Sequence, residues 1–271
     1  MPTAPPIILS IAGFDPSSGA GVTADIKTIA AHQCYGVACV TALTVQSTTG
    51  VRRVEPVAPD MVQQTLEELA GDISIAAVHV GMLGTEGNVG VVANFLANSR
   101  LPHVVLDPIL RSSSGAELLE AGAVHLLAER LLALAEVVTP NVDEAAALTG
   151  MEVSNREQMK AAARRLREMG SRAVVITGGH LDPATDLLSF HGPGGVEEHV
   201  FEAERLPSSC THGTGCAFST ALACNLARGT PLPLAVSLAK AYVTAAIAKA
   251  YPLGKGSGPV SHMFGLRPSG A

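Results

Sequence analysis

Ile7-Ile8-Leu9-Ser10-Ile11-Ala12 runs straight into Gly13-Phe14-Asp15-Pro16-Ser17-Ser18-Gly19-Ala20-Gly21, and residues 22–33 then take up helical spacing. A short, nearly continuous apolar run is the pattern of a buried strand. The whole is a strand, glycine loop, helix transition, the unit from which parallel α/β sheets are assembled. The glycines fall at 13, 19 and 21, which is not the G-x-G-x-x-G spacing of a dinucleotide fingerprint, so a dehydrogenase reading fails. Asp25, in the first turns of the helix, reads either as a hydrogen-bond partner for a polar ligand or as a plain surface or capping carboxylate.

The same unit recurs along the chain. Strands are predicted over 35–45, 76–80, 103–106, 136–139 and 173–177, and helices over 59–71, 87–98, 122–134, 157–169 and 233–251. His191-Gly192-Pro193-Gly194-Gly195, between two further β-rich runs, marks a hairpin near the sheet's edge. There is no internal repeat and no linker rich enough to split domains, so residues 1–271 are expected to form one three-layer α/β/α sandwich with a mostly parallel central sheet.

Composition agrees with this architecture. Of the 271 residues 47% are apolar but only 3% aromatic, so the core is built from Ala, Val, Leu and Ile. A net charge of −6 without a basic tract argues against a nucleic-acid partner. No signal peptide and no long apolar span is visible, so no membrane partner is expected. Five cysteines, odd in number and without a C-x-x-C pair, fit reduced thiols in the cytoplasm better than a disulfide framework or a zinc site.

In open α/β sheets ligands bind outside the carboxyl ends of the strands. The residues predicted there are polar. Gln46 offers an amide suited to a heterocycle edge, or is ordinary loop chemistry; Met82 is a flat wall for a ring, or core. Asp107 is a carboxylate placed for metal-phosphate chemistry, or an Asp-Pro turn. Glu144 is a helix-dipole partner, or shares a Mg²⁺ and its waters with Asp107 on the same sheet edge.

Thr211-His212-Gly213-Thr214-Gly215-Cys216-Ala217-Phe218-Ser219 is a second glycine-rich lead-in to a helix. Unpaired N–H groups and the positive end of the helix dipole converge there, and phosphate is the expected guest. A thiol at such a terminus is expected to have its thiolate favoured and to serve as a base or anion partner; alternatively Cys216 is a small buried apolar residue in a tight turn.

With these residues placed, the chain resembles the ribokinase-like superfamily and, within it, the bacterial hydroxymethylpyrimidine/phosphomethylpyrimidine kinases of thiamine biosynthesis. The likeness rests on residues 10–21, Ala24-Asp25-Ile26-Lys27-Thr28, Gly81-Met82-Leu83-Gly84, Leu106-Asp107-Pro108, Thr139-Pro140-Asn141-Val142-Asp143-Glu144, Gly178-Gly179-His180 and residues 211–216. Most of the superfamily has Asp where this chain has Cys216.

The resemblance implies transfer of the γ-phosphate of ATP·Mg²⁺ to 4-amino-5-hydroxymethyl-2-methylpyrimidine and then to its monophosphate. It implies a catalytic position for Cys216, with the N–H groups of Gly213, Thr214, Gly215 and Cys216 as an anion hole. Asp25, Gln46 and Met82, with the backbone at Gly13 and Ile109, match the pyrimidine pocket. Asp107, Asn141 and Glu144 match the phosphate and Mg²⁺ side, with Asp107 and Glu144 toward the metal, and Lys240 matches the nucleotide side. Relatives of this kind are commonly homodimers.

Three positions depart from the pattern. Phe14 replaces a small residue at the substrate mouth. Thr177 stands on the nucleotide side where Lys is usual, and Arg111 stands near a missing Lys whose charge it is expected to supply. The competing readings are a pyridoxal/pyridoxine kinase and a catalytically weak pyrimidine-binding sensor.

Overall fold

The computed structural model describes residues 3–179, 181 and 183–266. His180, quoted above in a motif, lies outside the described residues. The strands are β1 (Ile7–Phe14), β2 (Tyr35–Ser47), β3 (Gly50–Pro56), β4 (Ala77–Val80), β5 (Val104–Leu106), β6 (Val137–Val138), β7 (Ala173–Gly178), β8 (Ala184–Gly192) and β9 (Gly195–Ala203). They form one sheet in the order β3-β2-β1-β4-β5-β6-β7-β8-β9. From β2 to β7 neighbours run parallel, while β3, β8 and β9 pair antiparallel at the two margins. The sandwich is therefore ribokinase-like in its mostly parallel centre.

The helices are α1 (Gly21–Ala31), α2 (Pro59–Asp72), α3 (Glu86–Ser99), α4 (Ala121–Arg130), α5 (Val142–Thr149), α6 (Arg156–Glu168), α7 (Thr214–Ala227) and α8 (Leu232–Ala248). One core, built from alternate strand residues such as Leu9, Ile11, Val78 and Val80, packs under α2 to α6. The other, holding Ile8, Ala77, Val105 and Val137, packs under α1, α7 and α8. Period-two alternation thus sends apolar side chains to both faces, and for that reason β5 and β6 are apolar throughout and β4 is apolar but for the buried His79. α7 is buried along nearly its whole length, which its small residues permit.

β3 is a strand that the reading of 46–50 as the polar end of β2 leaves out. The helix expected to reach 134 ends at Arg130, with turns continuing beyond it. The helix expected to reach 251 ends at Ala248, since Tyr251 precedes Pro252 and is pushed from the helical region.

β2 lies on one side of β1 and β4 on the other, so the direction of winding reverses at β1. That reversal opens a crevice at the carboxyl ends of β1 and β4, the place where such sheets bind ligands.

Candidate active site

Gly13 and Met82 meet in that crevice. A Cβ on Gly13 would come within 2.8 Å of Met82 Sδ, so only glycine lets the thioether lie over the β1 backbone. The hydroxyl of Thr41 donates to the Met82 carbonyl at 2.5 Å and fixes the turn after β4. Ile109, following β5, reaches the neighbouring Gly81 with its side chain. Gln46 closes the group from β2: its Oε1 accepts from Thr44 and its Nε2 lies 3.3 Å from His212 Nε2. Gly13, Gln46, Met82 and Ile109 are thus gathered at one end of the sheet. Phe14 pairs with Leu43 at the same end of β1.

Asp25 is placed differently from a ligand-facing carboxylate. It is wholly buried; its Oδ2 accepts from Ser10 at 2.6 Å and lies 3.1 Å from His79 Nδ1, and its Oδ1 accepts from Thr220 at 2.9 Å. It ties α1 to β1, β4 and α7 beneath the crevice. Burial alone would lower the His79 pKa, but Asp25 outweighs it and the imidazole is raised.

The two glycine-rich loops interlock. Gly213 has φ +81°, and a Cβ there would land 1.8 Å from the Gly19 carbonyl oxygen. Asp15 organises the first loop by accepting from the Ser17, Gly19 and Ala20 backbone and the Ser17 hydroxyl. His212 joins the loops, with Nε2 2.9 Å from Asp15 Oδ2 and Nδ1 3.2 Å from Ser113 Oγ. Burial would raise the Asp15 carboxyl, yet His212 and Ser17 hold it below its ordinary value. Asp15, His79 and His212 are absent from the sequence-predicted site. The only local signal was the Asp-Pro turn at 15–16 and the histidine inside the second loop.

No side chain caps the N-terminus of α7. The Thr214 N–H is spent on the Thr211 carbonyl at 3.3 Å, which removes it from the expected anion hole. Those of Gly215 and Cys216 lie in the first turn, where a helix has no intrahelical acceptors for its N–H groups. A Cβ on Gly215 would sit 3.7 Å from Asp107 Oδ2, so the carboxylate stands directly beside this turn.

Cys216 does not carry the expected thiolate. Burial first, and then the charges of Asp25 and Asp107, push its thiol well above the ordinary range, against a lowering hydrogen bond from the Gly21 backbone. The helix terminus is outweighed by desolvation and like charge, and the thiol is neutral at physiological pH.

Asp107 Oδ2 is buried without a hydrogen-bond partner. Burial raises the Asp107 pKa to about 6, and Glu144, buried and repelled by Asp107, is raised to about 8. The His79 imidazole offsets part of the burial at Asp107, whereas Glu144 feels the like charges of Asp107 and Asp143. Among the described residues no three His, Cys, Asp or Glu side chains form a metal cage. A cation that keeps most of its waters needs only one or two carboxylates, and the unpartnered Oδ2 beside Glu144 fits that demand.

Asn141 is occupied as the cap of α5: its Oδ1 accepts from Glu144 N–H at 2.9 Å while Glu144 Oε2 accepts from Asn141 N–H at 3.0 Å. Asn141 also bridges Thr177 of β7. Lys240 of α8 is paired with Asp186, its Nζ 2.8 Å from Oδ2, and Asp186 accepts from Gly178 N–H through Oδ1. Asn141, Thr177 and Lys240 therefore cluster, but the Lys240 charge is already compensated. Arg111 is exposed and 3.8 Å from Glu117, pointing to a surface ion pair rather than a substitute for the missing Lys.

A mostly parallel α/β/α sandwich with an uncapped helix N-terminus, a thiol and two repelling carboxylates at its crevice is the architecture of the ribokinase-like small-molecule kinases. The chain belongs to the phosphomethylpyrimidine kinase family, whose model matches residues 15–261. It is 42% identical over 98% of its length to the hydroxymethylpyrimidine/phosphomethylpyrimidine kinase of Streptomyces coelicolor, covering 97% of that protein. It is 43% identical over 95% of its length to a thiamine biosynthesis bifunctional protein of Geobacter sulfurreducens, of which it spans only 52%.

Among solved structures, phosphomethylpyrimidine kinase from Clostridium difficile 630 superposes with a TM-score of 0.77 at 34% identity, covering 89% of this chain and 99% of that one. The ADP complex of Bacillus subtilis pyridoxal kinase superposes with a TM-score of 0.86 at 32% identity, covering 96% and 98%. No helix among the described residues is long and apolar enough to cross a membrane.

Proposed function

We propose that this chain transfers the γ-phosphoryl group of ATP to the hydroxymethyl oxygen of 4-amino-5-hydroxymethyl-2-methylpyrimidine, and then to the resulting monophosphate, in thiamine biosynthesis. The observation that carries the reading is the convergence at one crevice of the uncapped α7 terminus, Cys216 and Asp107 with Gly13, Gln46 and Met82. The identity to pyrimidine kinases over nearly the whole chain supports the choice of acceptor.

The ring lies against Met82 and the glycine backbone at 13, with the Gln46 amide at its edge. The Gly215 and Cys216 N–H groups face the transferring phosphoryl and stabilise the charge that builds on it. A loose transition state needs little early loss of the hydroxyl proton, so a neutral thiol at Cys216 serves by positioning the attacking oxygen. Asp107 and Glu144 would hold Mg²⁺, which when bound offsets charge on the nucleotide's phosphates. Free cysteines throughout support a reducing, cytoplasmic setting, and the family resemblance supports a homodimer.

The second reading, a pyridoxal kinase, draws on the TM-score of 0.86 to two such enzymes, from Bacillus subtilis and Staphylococcus aureus. ADP release with Mg²⁺ and either hydroxymethylpyrimidine, its monophosphate or pyridoxal as acceptor decides between them. Turnover on both pyrimidines is expected; turnover on pyridoxal alone reverses the assignment.

A further inference from the structure

Two successive transfers at one site place a demand on geometry. In the first, the bond forms between the hydroxymethyl oxygen and the γ-phosphorus, the bond from that phosphorus to ADP breaks, and the hydroxyl proton is released. In the second, an ionised oxygen of the monophosphate forms the new bond and ADP again departs. The nucleotide delivers its γ-phosphate to the same place both times, so the attacking oxygen must reach the α7 N-terminus in each case. The pyrimidine ring of the second acceptor then sits one phosphate group farther from Cys216.

The inner crevice has no slack for that displacement. Met82 is only 6% exposed and packed on Gly13, and Ile109 lies against Gly81. On the outer side of Gln46 there is room: a cleft of ≈ 340 Å³, bounded by Pro16 and Ser17 of the first glycine loop, Thr48 of the β2–β3 turn, and Leu253 and Gly254 of the segment after α8. That volume is at the lower end of the range for small-molecule sites, roughly 300–1,000 Å³.

The far wall of the cleft is held in place. Gly254 has φ +71°, and a Cβ there would come 2.3 Å from Thr48 Oγ1, which also accepts from Gly256 N–H at 3.3 Å. The same segment continues through Gly258, whose carbonyl accepts from His212 N–H at 3.1 Å, so it is tied to the loop leading into Cys216.

We propose that this cleft is an outer acceptor subsite, which receives the pyrimidine ring of the monophosphate during the second transfer while its phosphate occupies the inner crevice. The inference rests on the two-step reading above. Leu253 and Pro16 supply apolar walls for the ring faces. Gln46 is shared by both positions; the Ser17 hydroxyl, which donates to Asp15, keeps its acceptor capacity for the ring edge, and the Thr48 hydroxyl, which accepts from Gly256 N–H, keeps its proton.

Leu253, 48% exposed, is the residue through which to fill the cleft without disturbing the core. Steady-state kinetics on each acceptor, for the unaltered protein, Leu253→Trp, Leu253→Ala and an independent filler at Ser47, which lines the same cleft from the end of β2, Ser47→Trp, test the proposal. Both tryptophan variants are expected to lower kcat/KM on the monophosphate about tenfold or more while leaving that on the alcohol within about twofold, and Leu253→Ala to leave the ratio unchanged. Titration calorimetry is expected to show the same loss in monophosphate affinity. Equal losses on both acceptors, or none, would overturn the subsite. If the unaltered protein phosphorylates the alcohol but not the monophosphate, the subsite alone fails; if it phosphorylates neither, the functional reading fails with it.

Discussion

Replacing Gly213 by alanine separates the anion-binding geometry from ordinary backbone strain. Its φ of +81° costs an L-residue about 1–2 kcal/mol. Gly229, just past the other end of α7, has φ +79° and meets the same cost in Gly229→Ala, yet a Cβ there finds nothing within 4 Å. At Gly213 the Cβ would stand 1.8 Å from the Gly19 carbonyl oxygen, where real Cβ contacts essentially never fall below 3.0 Å. The two glycine loops must part by more than an ångström. Displacements of that size in a positioned active site lower turnover about 10²-fold. Both variants are expected to lose about 2–8 °C in Tm from the shared backbone cost, with Gly213→Ala losing more. In an ADP-release assay with hydroxymethylpyrimidine, Gly213→Ala should fall about 10²-fold in kcat while Gly229→Ala stays within about threefold of the parent. Equal kcat in the two variants would refute the role of the interlocked loops.

Three further outcomes follow from the charges. With a neutral thiol, Cys216→Ser should keep turnover within about tenfold while Cys216→Ala, which leaves the attacking oxygen unpositioned, loses about 10²-fold; equal losses would restore a thiolate base. Lys240→Met strands the buried Asp186 carboxylate and should cost about 3–5 kcal/mol in denaturant unfolding, largely recovered by adding Asp186→Asn; a raised KM for ATP at unchanged stability would instead mean that Lys240 serves the nucleotide. Cys34 is drawn down to about 7 by its hydrogen bond with Cys224, with Arg228 adding to the effect against burial, whereas Cys216 is pushed up. Because thiolate rises as pH passes the pKa, iodoacetamide should label Cys34 increasingly from pH 6 to 8 and leave Cys216 unmodified, read by mass spectrometry. The two residues are 8% and 7% exposed, so equal labelling at pH 8 would contradict the charge assignment.

The fold was legible because its signals are local. Ile7 to Ala12, apart from Ser10, and Val104 to Leu106 and Ala173 to Ile176 are apolar without alternation, as strands covered on both faces must be, and the loops between them carry glycine, proline or a capping Asn. β3 was not legible because Gly50–Pro56 contains Arg52, Arg53 and Glu55. A margin strand with one face in water does not show the apolar continuity of a central one. The polar residues at the strand ends were also readable one at a time, since any strand's carboxyl end faces the crevice.

Their electrostatic state was not readable in that way. A helix N-terminus lowers a thiol's pKa only while its field dominates the surroundings. Around Cys216 the competing charges come from α1 through Asp25, the end of β5 through Asp107 and the first turn of α5 through Glu144, segments far apart in the chain. The same long-range assembly raises Glu144, which a sequence-local rule treats as a dipole partner of α5 and therefore as an easily ionised group. Asp25 shows the converse. Its helical position suggested an accessible carboxylate, but Ser10, His79 and Thr220 converge on it from three other elements and turn it into the buried anchor of the crevice floor. Residue type and position along an element indicate which groups reach the site. Only the packing of α1, α5 and α7 around β1, β4 and β5 decides which of them carry charge there, and at Cys216 burial and the neighbouring carboxylates hold the thiol protonated.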